Sequence, residues 1–465
     1  MVTTVFTNGR ILCPGSWDGF VSTLVVEDDH VAHIGWDNDE AVVRIQATAS
    51  IVDLMNRIVL PGFIDGHVHI LNFGMSLEKL DLLPCKFLAY IRNAITSYAA
   101  AHPSDTRILC RGWIQSVTEG KALATALDDL DPRPIYIEAL DLHSTWCNYA
   151  ALEELGAHSK PDPPGGKIHR CLNGIPPSHI HEEKLVAINA AMDAHRRAGY
   201  TGVVDMAMGE SEWNALNIYR DQRGELSMHV AAHWLVPYSK CEADICSHID
   251  RAISLHQRFN RKTSPGFCIN GIKLICDGTV DGCTAGLQQA YGGCSNIVDP
   301  IWPADSLAAA IRRATNAGPG LARLSSSQHL EITTSEDAKR LGQLGIMASV
   351  QSFHLDPANF GAWPEMLGTQ RCKRAFAYQE FVDSGAHLAF GTDAPTAEHQ
   401  ALRNLYVATT RRSSIDPSSQ NTVNSEFAVS LTTAVSAATA GLHMLLFQTR
   451  GQGVSFRDTR PISLC

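Results

Sequence analysis

The chain has no Cys-x-x-Cys pair, although it carries 13 cysteines. They stand singly, so neither a disulfide framework nor a structural zinc finger is expected, and a reducing, cytoplasmic setting fits them best as plain core residues. No stretch approaches the roughly 18 uninterrupted apolar residues of a membrane span. Basic runs are missing as well. With 38 Lys and Arg against 48 Asp and Glu the formal charge is −10, which argues against a nucleic-acid surface. The opening, Met1 to Gly15, lacks a basic segment followed by an apolar core and a small-residue cleavage site, so no secretory signal is expected. What is present is 465 residues that are 45% hydrophobic and 18% charged, ordinary for a globular chain with one large domain and a smaller one.

The most informative stretch is Leu60-Pro61-Gly62-Phe63-Ile64-Asp65-Gly66-His67-Val68-His69. An apolar run meets a Pro-Gly step, and a strand-like segment then ends in two histidines one residue apart. Positions i and i+2 of a strand project to the same side, so His67 and His69 aim two imidazoles at one point. Two histidines at this spacing also arise by chance; the Pro-Gly-Phe-Ile-Asp-Gly lead-in is what makes a metal site the better reading.

In chain order, residues 1–60 read as short β segments. Thr4–Thr7 and Arg10–Leu12 flank Asn8-Gly9, a hairpin signal, and Ser22–Glu27 and His30–Gly35 flank Asp28-Asp29. Residues 70 to about 180 read as a long insertion. Glu182 to Gly199 has helical periodicity and stops at glycine. Strand-like runs follow, each with helical pattern behind it: Thr201–Met206, His229–Leu235, Ile272–Cys276, Ile346–Val350 and His387–Asp393. Buried strands alternating with helices imply a parallel sheet clothed in helices, and this many imply a barrel.

The PGFID-x-H-x-H pattern resembles the first barrel strand of the amidohydrolase superfamily of metal-dependent hydrolases, and within it the branch that includes the N-substituted formamide deformylases. The resemblance implies a (β/α)8 TIM-like barrel with a small β-sandwich built from both ends of the chain. Residues 1–60 would form the first half of the sandwich, 61–443 the barrel, and 444–465 a shortened second half. Lys273, in an apolar strand and followed by Asp277-Gly278-Thr279, matches the family's fourth strand. There the lysine is carbamylated by CO2 and becomes an anionic metal ligand. Gly391-Thr392-Asp393-Ala394-Pro395 matches the end of the eighth strand, which makes Asp393 both metal ligand and proton acceptor from water. His329, before Leu330-Glu331, matches the sixth-strand ligand. His354, after Gln351-Ser352-Phe353, matches a substrate-facing residue of the seventh. Ala139 to Asn148 resembles a segment in which a histidine and an asparagine face substrate, giving His143 and Asn148. Trp234 and Trp363 are expected to line the same pocket.

The pattern breaks twice. The family's fifth-strand histidine has no counterpart, because only residues 319–328 separate Gly318 from His329, too few for a strand, a helix and a further strand. Either one βα unit is missing, or His329 takes the fifth position and the sixth is lost. Residues 444–465 also lack the pattern that completes the sandwich. The expectation is a hydrolase of a non-peptide carbon–nitrogen bond, an amide or N-substituted formamide. It would use a divalent metal, zinc foremost, as one ion or two. The alternative is a relative that keeps the fold with an incomplete metal site and little or no turnover. Expected partners are a small-molecule substrate and, where the chain assembles, further copies of itself.

Overall fold

A computed structural model describes residues 2–13, 19–28, 30–118, 122–140, 142, 144–156, 181–292, 297–316 and 326–439. The segment 444–465 and His143 therefore lie outside the described residues, as does most of the interval between Gly318 and His329.

At the N-terminus, Thr3–Thr7 lies between Thr23–Glu27, antiparallel, and Ser50–Asp53, parallel, with His30–Gly35 on the outer side of Thr23–Glu27. A second sheet sets Arg10–Leu12 between Phe20–Val21 and Ile58–Val59. The two sheets share one apolar core of Ile11, Val21, Leu24, Val31, Leu54 and Val59. The Asp28 turn is a hairpin, with Glu27 opposite His30. Asn8-Gly9 is not one. The strands on either side of it belong to different sheets, and Asn8 sits at a corner, in left-handed conformation (φ 53°), with its side chain donating to Asp53 at 2.8 Å. Asn-Gly satisfies any tight reversal, so the dipeptide marks a bend without fixing which strands pair across it.

The central body contains seven parallel strands among the described residues. Four form one sheet in the order β4-β3-β2-β1: β1 (Phe63–Val68), β2 (Tyr200–Met208), β3 (His229–Leu235) and β4 (Phe267–Lys273). Three form another: β5 (Ser326–Gln328), β6 (Met347–Val350) and β7 (Leu388–Phe390). β4 starts earlier than the sequence reading has it. Asn270-Gly271 lies inside the strand, with Gly271 beside the His233 ring on β3.

The two sheets meet where β7 runs out against β1. Asp393 N donates to His67 O at 2.7 Å, His69 N donates to Ala394 O at 3.1 Å, and Val68 bridges Ala394 in parallel. The approach is close enough that a Cβ on Gly391 would stand 2.4 Å from the His67 backbone nitrogen. Ile64, Val204, Met206, Ala231, Cys268, Met347 and Ala389, drawn from β1, β2, β3, β4, β6 and β7, form one inner cluster, as in a filled barrel. Helices cover the outside. Ile70–Leu77, His181–Arg197, Glu210–Arg223, Glu242–Arg258 and Ala304–Asn316 clothe the four-stranded side, and Ser335–Leu344, Tyr378–Asp383 and Ala401–Thr410 the other. None of the described helices is long and apolar enough to cross a membrane. Among the described residues no strand lies between β4 and β5, and β5 is the direct parallel neighbour of β6. His329 directly follows β5, two strands before β7 in chain order.

Of the residues expected as an insertion, 70 to about 180, those from 157 to 180 lie outside the described residues. Ile70–Leu77 is a helix of the central body, packed so tightly on His181–Arg197 that Gly74 leaves no room for a Cβ against Ala187. The excursion proper, Leu80 to Glu154, has its own four-stranded sheet of Thr145–Cys147, Ile135–Ala139, Ile108–Trp113 and Leu80–Asp81, and its own core around Ile91, Ile95, Ile108 and Ile137.

A single methyl group tests the β1–β7 contact. Gly391→Ala forces the added carbon into the β1 backbone, and overpacking of this kind costs about 1–3 kcal/mol. Thermal unfolding of the variant is expected several degrees below the parent; an unchanged midpoint would mean that the two segments do not approach this closely.

Candidate metal centre

The cluster forms at the ends of β1, β5, β6 and β7. His67 is the penultimate residue of β1, and His69 stands at the start of the helix Ile70–Leu77. Their rings lie 5.4 Å apart, edge to face, and both Nε2 atoms face the same oxygen, Asp393 Oδ1, at 3.2 and 3.3 Å. The His329 ring is 5.1 Å from that of His67 and stacks at 5.8 Å on His354. His354 Nε2 lies 3.8 Å from Asp393 Oδ2 and 3.2 Å from Thr396 Oγ1, while its Nδ1 meets Glu331 Oε1 at 3.3 Å. One donor atom each from His67, His329 and Asp393 falls within 4.8 Å of the others. Two or three imidazoles converging with a carboxylate are a donor set suited to a divalent metal such as zinc.

The backbone is bent to make this possible. His329 and Leu330 both take positive φ, 66° and 53°, and Asp393 takes 58°. Left-handed conformation is unfavourable for residues other than glycine, above all for a bulky leucine. Such strain persists only where the surrounding packing enforces it, and it gathers at functional sites.

Electrostatics match the role of ligands. Burial draws His67 well below its ordinary value, against the pull of Asp393, and draws His329 down to about 4. Neutral imidazoles are the form a metal takes up. Burial opposes ionisation of Asp393, but His67, His69 and His329 outweigh it and hold the carboxylate well below the usual range. His69 and His354 go the other way. Burial is the largest single effect on both and lowers them, yet Asp393 with Asp205 raises His69, and Glu331 with Asp393 and Asp281 raises His354, by more in sum. Lys273, at the end of β4, is brought down to about 8 by desolvation, with Asp393 opposing. Its ammonium donates to Gln328 Oε1 at the end of β5.

Of the residues expected from sequence, His67, His69, His329, His354 and Asp393 come together, with Lys273 at the margin. Asn148 is not brought to this cluster. It is buried in the excursion, where its Oδ1 accepts from Ala151 N and Ile135 N and its Nδ2 donates to Arg133 O, each at 2.9 Å. Trp234 and Trp363 do not line the centre as expected: both are packed in core clusters, and Trp363 Nε1 is tied to Asp281 at 3.0 Å. An indole is the largest apolar group a chain has, and burial in the helix-facing core removes more of it from water than a polar cleft would.

Four residues matter that the sequence reading did not single out. Asp65, inside the leading motif, accepts from Thr392 N at 2.9 Å, Thr392 Oγ1 at 2.6 Å and His67 N at 3.1 Å, and lies 3.2 Å from His195 Nε2. Asp205 on β2 accepts from Ile70 N at 2.8 Å, and so fixes the backbone beside His69; burial pushes its carboxyl up to about 7. Glu331 orients His354, and the Gln351 amide lies 3.1 Å from His67 Nδ1. A carboxylate in a fully apolar strand, as at Asp205, was a usable signal, because such a charge needs partners.

The chain is similar to known proteins along most of its length. The chain is 24% identical over 450 residues to the putative amidohydrolase YtcJ of Bacillus subtilis, covering 86% of this chain and 82% of the other. It is 22% identical over 471 residues to the N-substituted formamide deformylase of Arthrobacter pascens, covering 87% and 83%. An uncharacterised metal-dependent hydrolase from Pyrococcus horikoshii superposes with a TM-score of 0.73 at 20% identity, over 96% of this chain and 93% of that one, which shows a shared TIM-barrel-like α/β fold. The amidohydrolase family profile matches residues 50–452. The chain belongs to the amidohydrolase family.

Proposed function

We propose that this hydrolase cleaves the carbon–nitrogen bond of a small N-substituted amide or formamide. The observation that carries the reading is the convergence of His67 and His69 Nε2 on one buried oxygen of Asp393, with His329 within ligand range. His67, His69, His329 and Asp393 would hold a divalent cation, zinc first by donor type. When bound, the cation supplies polarisation of a carbonyl and acidification of water.

The chain's own residues do the rest. Asp393, kept ionised by three imidazoles, receives the proton of the attacking water and passes it to the departing amine nitrogen. His354, oriented by Glu331 through Nδ1, holds Nε2 near Asp393 Oδ2 and Thr396 Oγ1, from where it would donate to the substrate carbonyl. Lys273 supports a further ligand. With its ammonium drawn down to about 8, a neutral amine is accessible near neutral pH. That amine adds to CO2, forming an N–C bond and releasing a proton, and becomes a carbamate with carboxylate character.

A second reading, a member of the family with slow turnover, is favoured by one feature. The fifth-strand histidine has no counterpart among the described residues, and Lys273 is engaged by Gln328 across the interval between β4 and β5. The two readings share the first cation and differ over a second.

Replacing both His67 and His69 by Ala is expected to abolish metal retention while circular dichroism keeps the parent's secondary structure. Full metal content by native mass spectrometry in the double variant would overturn the reading. For Lys273, metal uptake should fall in bicarbonate-free buffer and recover on its return, and Lys273→Ala should be rescued in part by short carboxylic acids. Indifference to bicarbonate would remove the carbamate. Elemental analysis is expected to give one tightly held ion per chain with weak formamide hydrolysis; two ions and brisk turnover would dismiss the slow-turnover reading.

A further inference from the structure

A neutral imidazole carries one N–H and one lone pair, and which nitrogen holds the proton is set by what each nitrogen faces. For His67 the two neighbours are known. Nε2 faces Asp393 Oδ1 at 3.2 Å, and Nδ1 faces the side-chain amide of Gln351, whose Nε2 is 3.1 Å away. Both residues are buried, at 1% exposure, so water does not decide the matter. In this arrangement the amide N–H donates to Nδ1, and the ring proton sits on Nε2, toward Asp393. A cation at the centre needs the opposite tautomer, with the Nε2 lone pair free and the proton on Nδ1.

We propose that Gln351 is the positioning residue that makes both tautomers of His67 available, by turning its amide to present either its nitrogen or its oxygen to Nδ1. This rests on the metal-centre reading above. A half-turn of the amide exchanges donor for acceptor at nearly the same position. Among the described residues Gln351 Oε1 is buried with no hydrogen-bond partner, so no hydrogen bond on the far side of the amide opposes that turn. The backbone, in contrast, is fixed, because Tyr378 Oη donates to Gln351 O at 3.2 Å. With the backbone held, a half-turn of the amide keeps the distance to Nδ1 nearly constant while the polarity of the contact reverses. In the cation-bound state Oε1 accepts from Nδ1–H, the arrangement by which a ligating histidine is oriented and made more basic.

The test uses the full-length protein with zinc ion as the probe. Zinc affinity is measured by competition with a chromophoric chelator in the parent, Gln351→Leu and Gln351→Glu, and the ring nitrogens are followed by 15N NMR with and without zinc. Gln351→Leu removes the acceptor and is expected to weaken zinc binding about 10- to 100-fold. Gln351→Glu keeps an acceptor for Nδ1–H and is expected to bind zinc at least as tightly as the parent. In the loaded parent, Nδ1 of His67 should show the shift of a protonated nitrogen. Parent-like affinity in Gln351→Leu, or loss in Gln351→Glu equal to that in Gln351→Leu, overturns the proposal, as does an Nδ1-ligated His67 spectrum. Should Gln351→Leu fail to fold, the Glu variant and the parent's spectra decide. A parent that takes up no zinc overturns the metal-centre reading itself, a result distinct from all of these.

Discussion

The site depends on one buried carboxylate that touches no reacting group. Asp65 gathers the Thr392 amide and hydroxyl, the His67 amide and the His195 ring around its two oxygens. Thr392 lies just past the end of β7 and His67 near the end of β1, so this cluster of charge-assisted bonds sets the spacing between the two segments that carry His67 and Asp393. Within the protein, where water cannot replace a lost partner, such bonds hold their geometry firmly, and withdrawing one donor leaves the carboxylate a hydrogen bond short at a cost of about 1–3 kcal/mol. Gly391 makes the same approach possible from the steric side, since any larger residue would collide with the His67 backbone.

Given that spacing, the behaviour of the centre follows from charge. Asp393 is the anion among His67, His69, His329 and His354, and each imidazole settles according to the balance between its burial and its share of that anion. His67 and His329 end neutral, while His69 and His354 are held toward the charged form. The positive φ of His329, Leu330 and Asp393 shows where the chain bears the expense of this convergence.

The parts legible in the sequence were those whose chemistry is contiguous. His67 and His69 share one strand end, and Asp393 is framed by Gly-Thr and Ala-Pro, so period-two geometry and local motif sufficed. β3 was readable to the residue because His229–Leu235 is a compact, mostly apolar run. What could not be read depends on register between distant strands. Gln351 reaches His67 only because β6 and β1 end at the same level, and Glu331 reaches His354 only through the left-handed turn at His329 and Leu330. Local signals also misled where a tertiary contact outweighed them. Asn8-Gly9 turns a corner between sheets, and the two tryptophans went to the core. Asn148, read as facing substrate, has its amide committed to backbone at the start of a helix.

The close packing of Gly74 on Ala187 has a consequence for how this chain can change over generations. The excursion from Leu80 to Glu154 leaves and returns between two helices that already hold each other, so closing it adds little entropy beyond what their packing has settled, and closure entropy grows only slowly with loop length. With a core of its own, the excursion answers to few constraints from the barrel. It is placed to be lengthened, trimmed or exchanged like a cassette, leaving the metal-binding strands as they are, and that freedom is one physical route by which relatives sharing only a fifth to a quarter of their residues retain one fold.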